Sequence, residues 1–345
     1  MLGAKLTLST GKEVTKSKFP PAPEVVSGDT ADVYFARTID ILHQENLNPV
    51  ATMEVFPRGD GICCGMEEVQ TLLAEVLPEG QREVWALDEG ETMTAREVVL
   101  RITAPYRSYG LYETAIIGTL ANGSGWATAA RECVNVAGDI PIISFGARHV
   151  HPSVSGKMDY AAVLGGCAGC SSIDGAWLAG LEPSGTMPHA LILVVGDTVK
   201  ATLLFDKHMP PEIPRVSLVD TLKDEAEESL RVAEALREKL QAVRLDTPGE
   251  RGGVTIALVK EVRARLDLAG FKNVGILVSG GFDPERIAEF VAKGAPVTGF
   301  GVGSYISGAR PIDFTADLHE VAGKPIAKRG RLPGKTPSPR LKRVL

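Results

Sequence analysis

His189 follows Ser184, Gly185, Thr186, Met187 and Pro188, a turn of small residues, and heads the apolar run Ala190 to Val195. A neutral imidazole on such a turn can act as a nucleophile or carry a proton near pH 7; the same histidine can equally cap a helix or satisfy a buried carbonyl. Asp220 follows the run RVSLV and Asp246 follows VRL. Hard carboxylate oxygens at strand ends suit Mg²⁺ bridging to a phosphorylated substrate. Asp220 also has the chemistry of a helix cap, because a helical pattern opens at Leu222, whereas Asp246 precedes a turn at Thr247, Pro248 and Gly249.

Two glycine-rich segments, ILVSGG and GFGVGS, each close a β-branched or aromatic run and open toward a helix or loop. Backbone amides at Gly280 and Gly281 and at Gly301, Gly303 and Ser304 can converge on one phosphate, where a Cβ would block the approach. Ordinary strand-end turns ask for glycine as well. A third cluster, Phe145 to His151, follows the run PIIS. There Phe145 offers an aromatic face and Arg148 a guanidinium, enough to stack a planar ring and grip its carboxylate, although a core phenylalanine and a surface ion pair account for the same two residues. His149 and His151 lack a third metal ligand.

The elements that must position these groups show in the periodicity. PVATMEVF, REVWAL and REVVLRITAP read as strands and MEEVQTLLAEVL as an amphipathic helix, a small α+β unit. Beyond Leu111, helical patterns alternate with short strands. Leu222, Ala226, Leu230, Ala233, Leu236, Leu240 and Val243 predict one long helix, and TIALVKEVRARLDLAG and DPERIAEFVAKGA predict two more around NVGILVSGG and PVTGFGVGS. Repeated strand–helix units without a GxGxxG after the first strand predict an irregular α/β barrel behind a smaller α+β N-terminal domain, with the active site at the carboxyl ends of the strands. The expected divisions are 1–115 for the N-terminal domain, 116–315 for the barrel and 316–345 for a basic tail packing back on the N-terminal domain.

Composition narrows the classes. The 345 residues are 44% hydrophobic with a net charge of -6, which argues against a general nucleic-acid binder. The tail is the exception, with Lys324, Lys328, Arg329, Arg331, Lys335, Arg340, Lys342 and Arg343 and no acid. Five cysteines, an odd count with no secretory leader, predict a reducing cytoplasm without disulfides; Cys167 and Cys170 form a CxxC with no second half, so buried small residues are expected rather than a zinc site. No apolar run approaches the roughly 20 residues that span a bilayer.

Taken in order, SGTMPHAL, VRLDTPG, VSGGFDPERI and GFGVGSYI resemble the nicotinate phosphoribosyltransferases, relatives of the quinolinate and nicotinamide phosphoribosyltransferases. GDTADVYF, ATMEVFPRGDG and LDEGETMTAREVVLRITAPYRSYGLYET extend the resemblance through the N-terminal third. It implies transfer of phosphoribosyl from phosphoribosyl pyrophosphate to nicotinate in NAD salvage, with Mg²⁺ and with ATP hydrolysis coupled through a phosphohistidine at His189. It further implies Phe145 and Arg148 on nicotinate with Tyr34 stacking from a neighbouring subunit, hence a homodimer or an assembly of dimers. Asp220 and Asp246 would serve ribose and Mg²⁺, Asp246 through pyrophosphate or water, Arg58 and Arg244 pyrophosphate and substrate, and the glycine turns with Ser304 the 5'-phosphate. Quinolinate phosphoribosyltransferase is the nearest alternative, and a non-catalytic barrel binding a phosphoribosyl ligand the next. The resemblance implies neither a nucleic-acid nor a membrane partner, and the cysteine-free tail no zinc knuckle.

Overall fold

A computed structural model describes residues 17–345. The N-terminal part contains α1 (Pro23–Val26), α2 (Val33–Gln44), β1 (Val50–Pro57), β2 (Gly61–Ile62), α3 (Met66–Val76), β3 (Glu83–Ala86), β4 (Thr92–Met93) and β5 (Leu100–Pro105). The long α4 (Glu113–Ala137) leads into β6 (Ile142–Ser144), α5 (Pro152–Leu164), β7 (Gly169–Cys170), α6 (Ile173–Ala179), α7 (His189–Val195) and α8 (Thr198–His208). Then come β8 (Val216–Leu218), α9 (Glu225–Leu236), β9 (Ala242–Leu245), α10 (Ile256–Leu268), β10 (Gly275–Val278), α11 (Pro284–Ala292), β11 (Gly299–Val302) and α12 (Ser304–Ser307). The chain closes with β12 (Phe314–Val321), β13 (Lys324–Pro325) and β14 (Lys342–Arg343).

The expected α/β architecture is present, with one qualification on the barrel. Six parallel strands run in the order β7-β6-β11-β10-β9-β8. The last strand, β11, returns to pair with the first, β6, as barrel closure demands, but β7 and β8 do not pair, so the sheet is a curled half-barrel. Its central strands GILV and GFGV are buried on both faces, which is why they read as apolar runs without alternation. The core packs Val243, Leu245, Ile276, Val278, Phe300 and Val302 against the helices outside.

The N-terminal sheet has the order β13-β12-β1-β5-β3-β14, so its two flanks come from the C-terminal residues. β12 lies antiparallel along β1, from Ala51 opposite Val321 to Pro57 opposite Phe314, and β14 pairs Lys342 and Arg343 with Ala86 and Trp85. Basic tail residues meet acids of this domain: Arg331 reaches Asp317, Lys335 Glu320, Arg340 both Glu91 and Glu97, and Lys342 Asp88. Helix α4 serves both cores. Ile116 and Leu120 belong to the N-terminal cluster, and Trp126, Ala130 and Cys133 to the barrel cluster. The division expected after residue 115 falls inside α4, and the one after 315 inside β12.

One predicted helix is shorter than its periodicity. Asp224 accepts from the amides of Ala226 and Glu227 and starts α9 there, while Leu222 is left 45% exposed before it and Val243 belongs to β9. The apolar period continued past the helix because β9 must bury Val243 and Leu245 in the same core. All five thiols are buried and free, and burial pushes those of Cys133 and Cys170 up to about 12, a poor setting for a thiolate ligand.

Candidate active site

Strands β6, β8, β9 and β10 deliver the candidate residues from their carboxyl ends. Because α9 is capped by Asp224, Asp220 is released from the capping role its position allowed and lies in the bend after β8. Its Oδ2 receives the Nε2–H of His189 at 3.0 Å; Asp220 is 1% exposed at the side chain and His189 38%. His189 is the first residue of α7, and Pro188 before it makes no side-chain cap. A carboxylate can only accept, so the contact fixes the proton on Nε2 and leaves the Nδ1 lone pair free as a nucleophile. The hydrogen bond and charge of Asp220 raise the imidazole pKa above its ordinary value, against a smaller opposing effect of burial. Asp220 Oδ1 is buried without any partner among the described residues.

Arg244 on β9 and Asp246 just beyond it form the facing half. Arg244 Nε donates to Ser279 Oγ at 2.9 Å, and Ser279 Oγ donates to Asp246 Oδ1 at 2.9 Å. The terminal nitrogens of Arg244 make only longer contacts, 3.4 Å to Thr186 Oγ1 and 3.4 Å to Asp246 Oδ2. The guanidinium carbon stands 4.7 Å from the Phe145 ring centroid, a cation–π contact. Burial lowers the Arg244 pKa against the raising effect of Asp246 and Asp220, and the charge of Arg148 lowers it further. Phe145 leaves β6 with its amide on the Val302 carbonyl, and the turn Ala147–His149 carries Arg148 outward, exposed and without an acid partner among the described residues.

The glycines divide into two kinds. Gly280 and Gly281 have φ of +92° and +69°, and a Cβ on Gly280 would lie 3.0 Å from Asp246 Oδ1. Arg286 holds their carbonyls at 2.6 and 3.2 Å and the Val254 carbonyl at 2.6 Å, so the turn is fastened from its carbonyl side. The amides of Gly280, Gly281, Gly303 and Ser304 donate to no acceptor among the described residues. Gly281 and Ser304 also line a cavity of about 660 Å³ with Phe282, Asp283, Tyr305 and Arg310. Gly301 differs: it lies in the β11 ladder opposite Ile143, and a Cβ there would stand 2.4 Å from the Phe145 ring. Its structural duty is to seat Phe145, so the second amide turn is Gly303–Ser304 rather than Gly301–Ser304.

Two expected site residues stay with the N-terminal domain. Tyr34 projects from α2, 57% exposed, with its hydroxyl 3.3 Å from Asp32 Oδ2. Arg58 follows β1, bonded to Asp313 at 3.3 Å and to Thr315, and shares a pocket of about 260 Å³ with Phe56, Arg96 and Arg331. Neither contacts the His189 cleft of its own chain. Ser279, Thr186 and Arg286 are not marked as site residues by sequence, although each lies inside a motif quoted for the resemblance.

A curled parallel half-barrel with a charged cleft at its strand ends, joined to a six-stranded N-terminal sheet, defines the type II phosphoribosyltransferase superfamily. The chain belongs to the quinolinate phosphoribosyl transferase family: its N-terminal domain matches residues 32–124 and its C-terminal domain residues 126–317. The structure of a nicotinate-nucleotide pyrophosphorylase from Pyrococcus furiosus is similar at TM-score 0.84 and 44% identity over 92% of this chain and 81% of that one. Human nicotinic acid phosphoribosyltransferase shares the fold at TM-score 0.70 and 20% identity, over 88% of this chain and 77% of that one. The nicotinate phosphoribosyltransferase pncB2 of Mycobacterium tuberculosis is 33% identical over 65% of this chain and 48% of its own length. The chain thus spans about half the length of the curated relatives it matches. Among the described residues no helix is long and apolar enough to cross a membrane.

Proposed function

We propose that the protein is a nicotinate phosphoribosyltransferase, making nicotinate mononucleotide and pyrophosphate from nicotinate and phosphoribosyl pyrophosphate, with ATP hydrolysis coupled through His189. The observation that carries this reading is the pairing of a nucleophile-ready His189–Asp220 dyad with the Arg244–Ser279–Asp246 constellation at one barrel mouth. In the transfer, the nicotinate ring nitrogen forms its bond to the anomeric carbon as the bond to pyrophosphate breaks, and the electron pair leaves with pyrophosphate. Arg244 and Arg148 supply positive charge, and the free amides of the two glycine turns suit the 5'-phosphate. In the coupling step, His189 Nδ1 accepts the γ-phosphoryl group, ADP departs, and water later releases phosphate.

No group of three metal-ligating side chains occurs among the described residues. Mg²⁺ takes one or two carboxylates plus substrate phosphates, and Asp246 Oδ2, held only by a 3.4 Å contact, is the oxygen that would receive it. Held there through pyrophosphate or water, Mg²⁺ would supply positive charge to the leaving group.

The exposed positions of Tyr34 and Arg58 suit an enzyme whose site is shared between two copies. Apolar side chains are exposed on α2, at Val33 and Ile41, and beside the mouth, at Ile173, Trp177, Leu193 and Val194, the surfaces such a dimer covers. A second reading, quinolinate phosphoribosyltransferase, is favoured by the family match and by the Pyrococcus relative's name. A dicarboxylate asks for more cations than a mouth in which Asp220 and Asp246 balance Arg148 and Arg244.

The test is pyrophosphate release from phosphoribosyl pyrophosphate and Mg²⁺ with nicotinate, quinolinate or nicotinamide, each with and without ATP. Nicotinate should be preferred and ATP stimulatory. His189→Ala should lose the stimulation and keep basal transfer; release with quinolinate alone would transfer the assignment to the second reading.

A further inference from the structure

We propose that Ser279 is a positioning residue that presets Arg244 and Asp246 for anion and metal–pyrophosphate binding; this rests on the function proposed above. Among the described residues its hydroxyl is the one short polar contact each partner makes at the mouth: it accepts from Arg244 Nε and donates to Asp246 Oδ1, both at 2.9 Å. The outer atoms of the same two groups, the Arg244 terminal nitrogens and Asp246 Oδ2, make contacts of only 3.4 Å. Each group is therefore fastened at its inner atom and free at its outer one. A ligand anion can take the outer nitrogens, and Asp246 Oδ2 can turn to a cation, without the loss of a strong internal bond.

Ser279 can do this because of where β10 ends. Its amide is tied to the Leu245 carbonyl at 2.9 Å, the residue is 2% exposed, and Gly280 then turns away at a φ that side chains rarely adopt. A hydroxyl is the small group that both accepts and donates at this spot; alanine does neither. Without it, Arg244 and Asp246 close their 3.4 Å gap into a direct pair that ties up the atoms meant for the ligand.

The experiment compares Ser279→Ala, Ser279→Thr and Arg244→Gln with the double variant Ser279→Ala/Arg244→Gln. In the wild-type background, Ser279→Ala should lower kcat/KM for pyrophosphate release about tenfold, as expected for hydrogen bonds to charged groups. The melting temperature should not change, and Ser279→Thr should restore the rate. In the Arg244→Gln background the same change should have less than about a twofold effect, because the residue acts through Arg244. An equal loss in both backgrounds, or none in either, overturns the proposal. Independently of turnover, the slowly exchanging Arg244 Nε–H resonance, assigned by its absence in Arg244→Gln, should vanish in Ser279→Ala. If the wild type released no pyrophosphate the functional reading would fail, while survival of that resonance in Ser279→Ala would refute the anchoring itself.

Discussion

Two buried carboxylates, Glu54 in the N-terminal sheet and Asp220 at the barrel mouth, have side chains 0% and 1% exposed, yet their surroundings are opposite. Glu54 is saturated. Arg101 Nε donates to Oε1 at 2.7 Å, and the Thr336 amide reaches both oxygens at 3.0 and 3.3 Å. Asp220 has one oxygen on His189 and the other on nothing among the described residues. A buried charge with every lone pair occupied holds structure together; one left half-occupied keeps capacity in reserve for a ligand or a proton. The same contrast runs through the cations, since Arg331, Lys335, Arg340 and Lys342 of the tail are paired with acids while Arg148 has no acid partner among the described residues.

The largest effect should come from breaking the saturated side. Glu54→Ala strands Arg101 and releases the Thr336 amide, and should lower the unfolding free energy by about 3–5 kcal/mol in urea denaturation, with activity per folded molecule retained. If stability stays within about 1 kcal/mol, the distinction between the two carboxylates collapses. Asp220→Asn should do the reverse, leaving stability nearly unchanged while lowering the ATP-stimulated rate by about a hundredfold. Its pH profile sharpens the point. Asp220 raises the His189 pKa, so the neutral imidazole needed for phosphoryl acceptance is lost on the acid side of a limb above about 6.5. Removing the carboxylate should move that limb down. By the same sign, protonated His189 stabilises the fold below its unfolded pKa, and that contribution is lost as pH rises through the folded value. An unmoved limb in Asp220→Asn would detach His189 from the coupling role. Smallest should be Arg340→Ala at the tail, which removes exposed pairs with Glu91 and Glu97 and should shift stability by no more than about 1 kcal/mol, less in high salt.

Much of this was legible in sequence because it depends on local grammar. Strand runs ending in glycine turns, the amphipathic α3 and α10, and Asp246 at a strand end all need only neighbours in the chain. What escaped depends on partners far away. Leu222 looked like the start of α9 because spacing alone cannot tell a loop leucine from a helical one; the Asp224–Glu227 pair, an acidic cap with glutamate three residues on, was the better signal. That Gly301 also seats the Phe145 ring is invisible in sequence, because nothing nearby in the chain reveals that Phe145 rests on it. Ser279 passed as part of a turn because its worth lies in meeting Arg244, 35 residues earlier, and Asp246 at once.

The closure of the N-terminal sheet by β12 and β14 has a consequence for the order of synthesis. β1 and β3 are made early, but the strands that cover their edges lie more than two hundred residues later. A ribosome-bound chain therefore carries two uncovered strand edges until those later residues emerge, with the parallel half-barrel encoded in between. Residues 314–343 complete the sheet by strand addition, and Arg340 and Lys342 meet Glu91 and Asp88, acids made much earlier in the chain.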